Sequence, residues 1–360
     1  MTAVTGSTRT AREAAAEAAV GFLLRRQSPE GAWTDFLLPA GQSTLWVTAF
    51  VGGILAGRPE PEAREAAQAA WRFLEPRETA EGGWGYNAKV PGDADSTLWG
   101  LRLAAVLGLS GSPAARRAAA FLERHVRAGG GLATYATAEA VRAYIGLPPV
   151  ISFQGWLQPH VCVTAAGANL PGLGERFLPA LASAQAADGR WAAYWWFDDE
   201  YATAEAVAAL AGSGWTAADR DPETAARIDR AAAWVLTRVD RLLAGAAARP
   251  PAFALAHALR VLARAGGPRD VLARGLDQLV AWQRPDGSWP PSARLRVPRP
   301  DCLIPDPEAA WVPWAGLPPG PVDLQKVLRH TFTNYSLDRD GVYSTATALG
   351  ALQDAAGLAG

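Results

Sequence analysis

The feature that most constrains the fold is an internal repeat of about 50 residues, a length that holds two helices and their turns. In a clear copy, an aromatic or aliphatic pair is followed by Gln and then by Gly-x-Trp, as in Phe22-Leu23, Gln27 and Gly31-Ala32-Trp33. The Gln amide can bond to the backbone of the adjacent repeat, and the Trp ring can pack against it. Recognisable copies end at Trp33, Trp84, Leu132, Trp191, Trp289 and Tyr343.

A second, almost wholly apolar segment follows most copies. Such segments are typical of inner helices that an outer layer of helices buries on every side. The predicted inner helices cover residues 43–55, 96–107, 201–210, 253–262 and 343–352. Two segments interrupt the repeat. Residues 132–191 hold two candidate helices, 137–145 and 161–170, which leaves the number of helices open, and the Pro- and Arg-rich residues 290–321 are typical of a long functional or mobile loop.

These motifs resemble a known family. The Gln-x-x-x-Gly-x-Trp copies are similar to the QW repeats of squalene–hopene cyclases and related class II terpene cyclases. The segment 82–97 resembles that family's Gly-Trp turn followed by its Asp-x-Asp-Asp-Thr acid motif, which reads Asp93-Ala94-Asp95-Ser96-Thr97 in this chain. The likeness covers essentially the whole chain. It implies an all-α fold, an (α/α)6 toroid forming a single domain over residues 1–360.

The resemblance also implies an activity. Members protonate an alkene or epoxide of an isoprenoid and cyclise it without a redox cofactor. By position, Asp95 matches the proton donor, Asp93 matches the residue that tunes it, and Tyr86 lies near the aromatic that lines the pocket. Ser96 stands where the family has a last Asp. Members usually pair this domain with a second one, so a partner chain or a homo-oligomer is a candidate to close the cavity.

The chemistry gives a physical reason for the acid pair. An alkene is a very weak base, so the donor must be a carboxylic acid that stays neutral until it is used. Burial raises the pKa of a carboxyl group, and a second carboxylate nearby raises it further. Asp93 and Asp95, at the start of an apolar helix, can supply such a pair. The simpler alternative is that Asp93 and Ser96 only cap the helix.

The carbocation that follows needs a cavity that stabilises it without trapping it, and aromatic faces do so through the ring quadrupole. The chain has 15 Trp residues, of which several end repeats and are most simply structural. Plain core packing is the alternative for each remaining aromatic. His160, two residues before Cys162, is a candidate to polarise the acid. The predicted substrate-binding residues are Tyr86, Trp99, Trp46, Trp195, Trp196, Phe197, Trp311, Trp314 and His160.

A cofactor would be needed only for particular substrates. If the substrate carries a diphosphate, Asp198-Asp199-Glu200 is a candidate Mg²⁺ site, although a capping turn is favoured, and the cations would be Lys89, Arg294, Arg296 and Arg299. A zinc prenyltransferase-like site of Asp301, Cys302 and His330 is a further alternative with unsuitable spacing. The remaining alternative is a non-catalytic toroid that binds a lipid or a protein.

Composition excludes other classes. A net charge of -1 provides no nucleic-acid footprint, and two cysteines fit a reducing compartment. The sequence contains no run of about 18 apolar residues, so it predicts no membrane-spanning helix. The Ala- and Arg-rich composition indicates a bacterial source. We therefore expect a cytoplasmic enzyme, with peripheral membrane contact left open.

Overall fold

The computed structural model describes residues 4–212, 221–244, 250–306, 311–313 and 334–357. The predicted all-α architecture is confirmed, because the described residues are mostly helical with a few short strands. In chain order the helices are α1 (Val4–Arg26), α2 (Leu45–Ala56), α3 (Pro61–Leu74), α4 (Ala94–Val106), α5 (Pro113–Glu123), α6 (Glu139–Ile145), α7 (Gln154–Leu157), α8 (Val161–Ala168), α9 (Leu178–Ser183), α10 (Asp199–Ala211), α11 (Pro222–Ala244), α12 (Ala252–Ala265), α13 (Arg269–Ala281) and α14 (Val342–Gly357).

Six of the described helices form a closed inner ring. Helix α2 packs on α4, α4 on α8, α8 on α10, α10 on α12, α12 on α14, and α14 returns to α2. Outer helices α1, α3, α5, α9, α11 and α13 pack around this ring. The inner helices are apolar on nearly every side because both the ring and the outer layer cover them. In the segment that left the helix count open, α8 is the inner helix.

The Gln and Trp side chains of the repeats join one unit to the next. Gln27 Nε2 donates to the carbonyl of Gly31 (3.0 Å) and to that of Ala66 in α3 (2.9 Å), and the Trp33 indole donates to the Leu23 carbonyl (2.7 Å). Gln185 and Gln283 make the same two kinds of bond. The same indole bond recurs at Trp84, Trp191 and Trp289, which donate to Leu74, Leu181 and Leu279. Each turn is therefore fixed at both of its ends.

Short strands, which the sequence patterns do not predict, lie in the loops that lead into inner helices. Strands β1 (Leu37–Leu38) and β2 (Gly41–Gln42) form a hairpin before α2. Strand β3 (Arg294–Val297) pairs antiparallel with β5 (Asn334–Leu337), and β4 (Val312–Pro313) pairs parallel with β5. The predicted 290–321 loop thus contains β3 and β4. Within the described residues, no helix combines the length and apolarity needed to cross a membrane.

Candidate functional site

The acid segment begins helix α4. Asp93 is the N-cap residue, and its carboxylate accepts hydrogen bonds from the Ser96 backbone N–H (2.7 Å) and the Ser96 hydroxyl (2.8 Å). The Ala94 N–H donates to the Thr134 carbonyl (2.9 Å). The Thr97 hydroxyl accepts the Trp84 N–H (3.0 Å), which ties the helix to the preceding turn. Asp93 therefore caps the helix while placing its carboxylate beside Asp95.

Asp95 differs from Asp93 in its surroundings. No donor in the described part of the chain lies within hydrogen-bond distance of its carboxyl group. Burial raises the pKa of Asp95 well above its ordinary value, and the charges of Asp93 and Glu205 add to this, while Arg102 opposes it. Burial likewise raises the pKa of Asp93 to about 7, against the effect of its bonds with Ser96. Burial therefore favours the protonated form of Asp95, and none of these residues bonds to its carboxyl group.

A shared register places one residue of each inner helix at the level of Asp95. Threonines of the inner helices accept the N–H of the residue that ends a repeat, at 2.9–3.0 Å. The residues two positions before these threonines, together with Phe253 of α12, form what we call the acid layer: Trp46, Asp95, Cys162, Tyr201, Phe253 and Tyr343. Of these six, only Asp95 is half-buried, and the others are 0–3% exposed. Asp95 is thus the residue of the acid layer with the most accessible surface.

Aromatic rings fill the centre of the ring of helices around this acid. Tyr343 stacks on Phe50 with centroids 4.0 Å apart and lies 5.0 Å from Trp46. Phe50 in turn meets Trp99 edge to face at 4.8 Å. Trp196 covers the opposite side, with its ring 5.0–5.4 Å from Phe253, Tyr201 and Tyr343. Two residues predicted from the sequence, Trp46 and Trp196, thus meet in the centre at 5.9 Å, where their faces can stabilise a cation. Trp99 joins them through Phe50, and the Arg102 guanidinium lies over its ring at 4.1 Å.

Three other predicted residues lie beside the acid segment. His160 is neutral, since burial lowers its pKa to about 3. Its Nε2 donates to the Gly155 carbonyl (2.7 Å), so its Nδ1 accepts from the Thr134 hydroxyl (2.7 Å), and both nitrogens are engaged. The Trp195 indole also donates to that hydroxyl (2.8 Å). These groups fix Thr134, whose carbonyl receives the α4 N-terminus. The third, Tyr86, stacks on a ring of the acid layer, that of Trp46, at 6.2 Å.

The remaining predicted aromatics lie farther out. Phe197 meets Trp311 edge to face at 5.3 Å, beneath the guanidinium groups of Arg294 and Arg296. The Trp311 indole donates to the Asp306 carbonyl (2.8 Å). Trp314 lies outside the described residues. These side chains form a cluster at the β3–β5 sheet rather than at the centre.

Arginines engage the acidic turn that was considered as a metal site. Asp198 pairs with Arg294 (2.7 Å), Asp199 with Arg190 (3.0 Å), and Glu200 with Arg238. Among the described residues, no group of three or more His, Cys, Asp or Glu side chains could hold a metal ion. His330, the third residue of the zinc alternative, lies outside the described residues.

The arginines predicted for a diphosphate also have partners, whereas Lys89 is exposed. Arg294 pairs with Asp198, and Arg299 pairs with Asp301 (3.0 Å). The Arg296 guanidinium donates to the backbone carbonyls of Tyr194 (2.9 Å) and Ala193.

A charged network that the sequence patterns did not predict connects four inner helices, one helical turn after the acid layer in α10. The buried Glu205 carboxylate accepts from Arg102 (2.6 Å) and Arg260 (3.1 Å), and Arg260 also pairs with Asp354 (2.8 Å). Burial alone would raise the pKa of Glu205, but the two arginines lower it to about 2. A permanent anion therefore lies one helical turn below Tyr201. Only the three-dimensional arrangement brings these residues, from four different helices, together.

Tyr201 and Tyr343 were also missed as site residues, although the sequence carries a signal for them. Both lie two positions before a threonine that follows a Gly-x-Trp-type turn, the same register as Asp95 before Thr97. The same register, applied to the five inner helices that carry such a threonine, would have identified the acid layer except for Phe253, which Leu255 follows two positions later.

No protein-family model and no curated protein sequence matches the chain. The chain is, however, similar to several solved structures. The type II terpene cyclase MstE from Scytonema, as a variant in complex with geranylgeranyl dihydroxybenzoate (substrate), is 36% identical with a TM-score of 0.87, over 98% of this chain and 99% of that one. Another MstE variant was solved in complex with merosterolic acid A (product).

Two further solved structures are similar. A protein from Actinoplanes is 39% identical with a TM-score of 0.82, over 96% of this chain and 99% of that one. The ent-copalyl diphosphate synthase from Streptomyces platensis is 23% identical with a TM-score of 0.52, over 85% of this chain and 50% of that one, a likeness of fold alone.

Proposed function

The chain belongs to the type II terpene cyclase family, and from this premise we propose that it cyclises a linear isoprenoid, with Asp95 as the acid that protonates the terminal alkene. The observation that carries the proposal is the state of Asp95. Burial and the Asp93 charge favour the protonated form of its carboxyl group, no described residue bonds to it, and it lies among the aromatic rings of the acid layer. This is what protonation of a weak carbon base requires.

The initiating step transfers the Asp95 proton to the less substituted carbon of the terminal double bond. A tertiary cation forms, and the next double bond of the chain attacks it to close a ring. Asp95 remains as a carboxylate in the first turn of α4, where the helix N-terminus stabilises an anion. Before the step, the Asp93 carboxylate disfavours this ionisation, so the proton is held until the alkene is in place.

The aromatic centre guides the cation as it moves away from the acid. Trp46 and Trp196 present faces that attract a cation and carry no lone pair aimed at it. Trp99 contributes through the edge of its ring, which packs on Phe50, since Arg102 lies over its face. Tyr86 extends this wall at Trp46, and His160 and Trp195 position the segment that receives the N-terminus of α4. Phe197 and Trp311 belong to the outer rim, and we propose contact with the head of the substrate for them.

For the substrate, we propose a geranylgeranyl-substituted aromatic acid of the dihydroxybenzoate class. The relative crystallised with that substrate is 36% identical to this chain over nearly its full length. A diphosphate is less well supported, because Arg294, Arg296 and Arg299 each bond to protein partners. We also propose that the Gln- and Trp-linked units are QW-type repeats of a single domain, with Ser96 in place of the last Asp of the acid motif.

The test is incubation of the protein with geranylgeranyl dihydroxybenzoate, geranylgeranyl diphosphate, farnesyl diphosphate and squalene, followed by product analysis. Wild type is compared with Asp95→Asn, an isosteric neutral change, and with Asp277→Asn on outer helix α13 as a control. We expect cyclised product from geranylgeranyl dihydroxybenzoate with wild type and the control, and a loss of at least about 100-fold in Asp95→Asn. Equal product from all three proteins would contradict the acid assignment.

A further inference from the structure

Polar atoms without protein partners gather in the centre of the inner ring. Tyr201 Oη, Tyr343 Oη and His257 Nε2 are buried, and no described residue bonds to them. Leaving a buried donor unpaired costs about 1–3 kcal/mol each, so three in one place point to a ligand that satisfies them. The three residues come from the adjacent helices α10, α12 and α14.

These three helices face the acid across the ring. Helix α12 stands opposite α4, and α10 and α14 flank α12. The His257 ring lies 5.3 Å from that of Tyr201, one turn below the acid layer. Burial above all raises the pKa of the Tyr201 hydroxyl, and the Tyr343 hydroxyl is close enough to raise it further. The polar atoms thus gather on the wall opposite Asp95.

The protonation states define what these atoms can bind. Burial raises the pKa of both tyrosines well above 10, so the phenols stay neutral and can donate or accept. Burial, followed by the charge of Arg260, lowers the pKa of His257 to about 3. Its Nδ1 faces an Arg260 guanidinium nitrogen at 3.5 Å, which can only donate, so we assign the proton to Nε2. The site therefore offers one N–H donor and two hydroxyls, which can donate or accept, to a small uncharged ligand.

We propose that Tyr201, Tyr343 and His257 hold a water molecule opposite Asp95, and that this water accepts the proton that ends the cyclisation. The inference rests on the proposed function and deepens it by naming the residues that terminate the reaction. About three hydrogen bonds are typical of a buried water. Here the water accepts from the His257 Nε2–H and donates to the Tyr201 and Tyr343 hydroxyl oxygens, which leaves one lone pair free to take the proton. An oxygen atom of the substrate could use the same donors, and the experiment below separates the two sources.

The step balances as a proton relay. A C–H bond next to the last cationic carbon breaks, its electron pair forms the new C=C bond, and the proton moves to the water. The hydronium ion is stabilised by the Glu205 carboxylate, one turn below Tyr201 in α10. The hydronium ion then releases a proton to solvent, and solvent reprotonates the Asp95 carboxylate, which restores both the water and the acid. The product is then an isomer of the substrate.

The experiment measures the product mixture separately from substrate consumption. Tyr201→Phe, Tyr343→Phe and the double variant are incubated with geranylgeranyl dihydroxybenzoate in ¹⁸O-labelled water, beside wild type and Tyr144→Phe, whose phenol is at the surface. Two further variants probe the imidazole: His257→Gln keeps an N–H donor, whereas His257→Leu removes it. Thermal unfolding shows which variants fold, and any single folded Tyr variant suffices.

In the Tyr variants we expect the rate of substrate consumption to stay within about threefold of wild type, because Asp95 is intact. The ratio of alternative products to the main product should rise at least about tenfold, which is the size of effect that the loss of one hydrogen bond allows. The alternatives are other alkene isomers, partly cyclised products and ¹⁸O-labelled alcohols. His257→Gln should keep a product ratio near that of wild type, whereas His257→Leu should raise the share of alternative products. An unchanged ratio in the Tyr variants overturns the inference.

Two other outcomes separate the competing explanations. Loss of consumption in the Tyr variants with an unchanged binding affinity overturns the inference, because the hydroxyls would then act at initiation. Weakened binding of the substrate, measured by KM with the product ratio unchanged, assigns the donors to a substrate oxygen and also overturns it. If wild type and Asp95→Asn form equal product, the proposed function fails instead.

Discussion

Glu205 allows the strength of the charged network below the acid layer to be measured. Its pKa is about 2 in the folded protein against an ordinary 4.5, so the carboxylate contributes about 3 kcal/mol at pH 7. Because the folded pKa is depressed, this stability is present above pH 4.5 and is lost as the pH falls towards 2. Breaking a buried ion pair costs about 3–5 kcal/mol, since Arg102 loses its acidic partner and Arg260 keeps only Asp354.

For a chain of this length, 1 kcal/mol corresponds to about 1.3 °C in Tm, so Glu205→Gln should lower the Tm by about 4–6 °C at pH 7. Glu223→Gln is the matched control. Glu223 also pairs with an arginine, Arg227 at 2.7 Å, but its side chain is 77% exposed. An exposed pair contributes about 0.3–0.5 kcal/mol, which predicts a change below about 1 °C. The Tm values of wild type, Glu205→Gln and Glu223→Gln are measured by calorimetry. Equal Tm values for the two variants would show that the buried pair adds no more stability than the exposed one.

Further predictions concern the turns and the acid pair. Gly31 has a φ of +98°, and a Cβ there would lie 2.5 Å from the Ala69 carbonyl oxygen. Gly31→Ala should therefore lower the free energy of unfolding, measured in urea, by at least about 3 kcal/mol. Gly108 also has a positive φ but faces open space, so Gly108→Ala should lower it by about 1 kcal/mol. Because burial raises the pKa of Asp93 from its ordinary 3.8 to about 7, its ionisation removes stability progressively between about pH 4 and pH 7. By thermal unfolding, the stability of Asp93→Asn relative to wild type should therefore rise from about pH 4 to pH 7 and remain higher at pH 8. In Glu205→Gln, the alkaline limb of kcat/KM should move to lower pH, because the Glu205 charge helps to raise the pKa of Asp95; an unmoved limb would contradict this.

Local patterns were sufficient to predict the helical layers. An apolar segment such as 201–210 can be stable only where it is covered on every side, and the structure places it in α10 of the inner ring. The spacing of Gln27 and Trp33 likewise matches the bonds that join the first unit to its neighbour. In a repeating sequence each unit packs against a neighbour of the same kind, so the contacts of one unit predict those of the others.

Contacts between distant segments could not be predicted from local patterns. Strand β3 pairs with β5, about 40 residues later, and neither segment has the flanking turn of a hairpin. Glu205 has small, apolar neighbours in sequence, and its arginine partners come from α4 and α12. The unpartnered hydroxyls of Tyr201 and Tyr343 are visible only when the ring is assembled. The acid itself was identifiable because its motif is local.

The central claim is that Asp95 delivers the proton that starts cyclisation. The most direct measurement is the reaction of geranylgeranyl dihydroxybenzoate in D₂O, with the product analysed by NMR and mass spectrometry. We expect a single deuterium on the ring methylene that was the terminal alkene CH, and no labelled cyclised product from folded Asp95→Asn. Cyclised product without deuterium at that carbon, or the same labelled product from Asp95→Asn, would contradict the account.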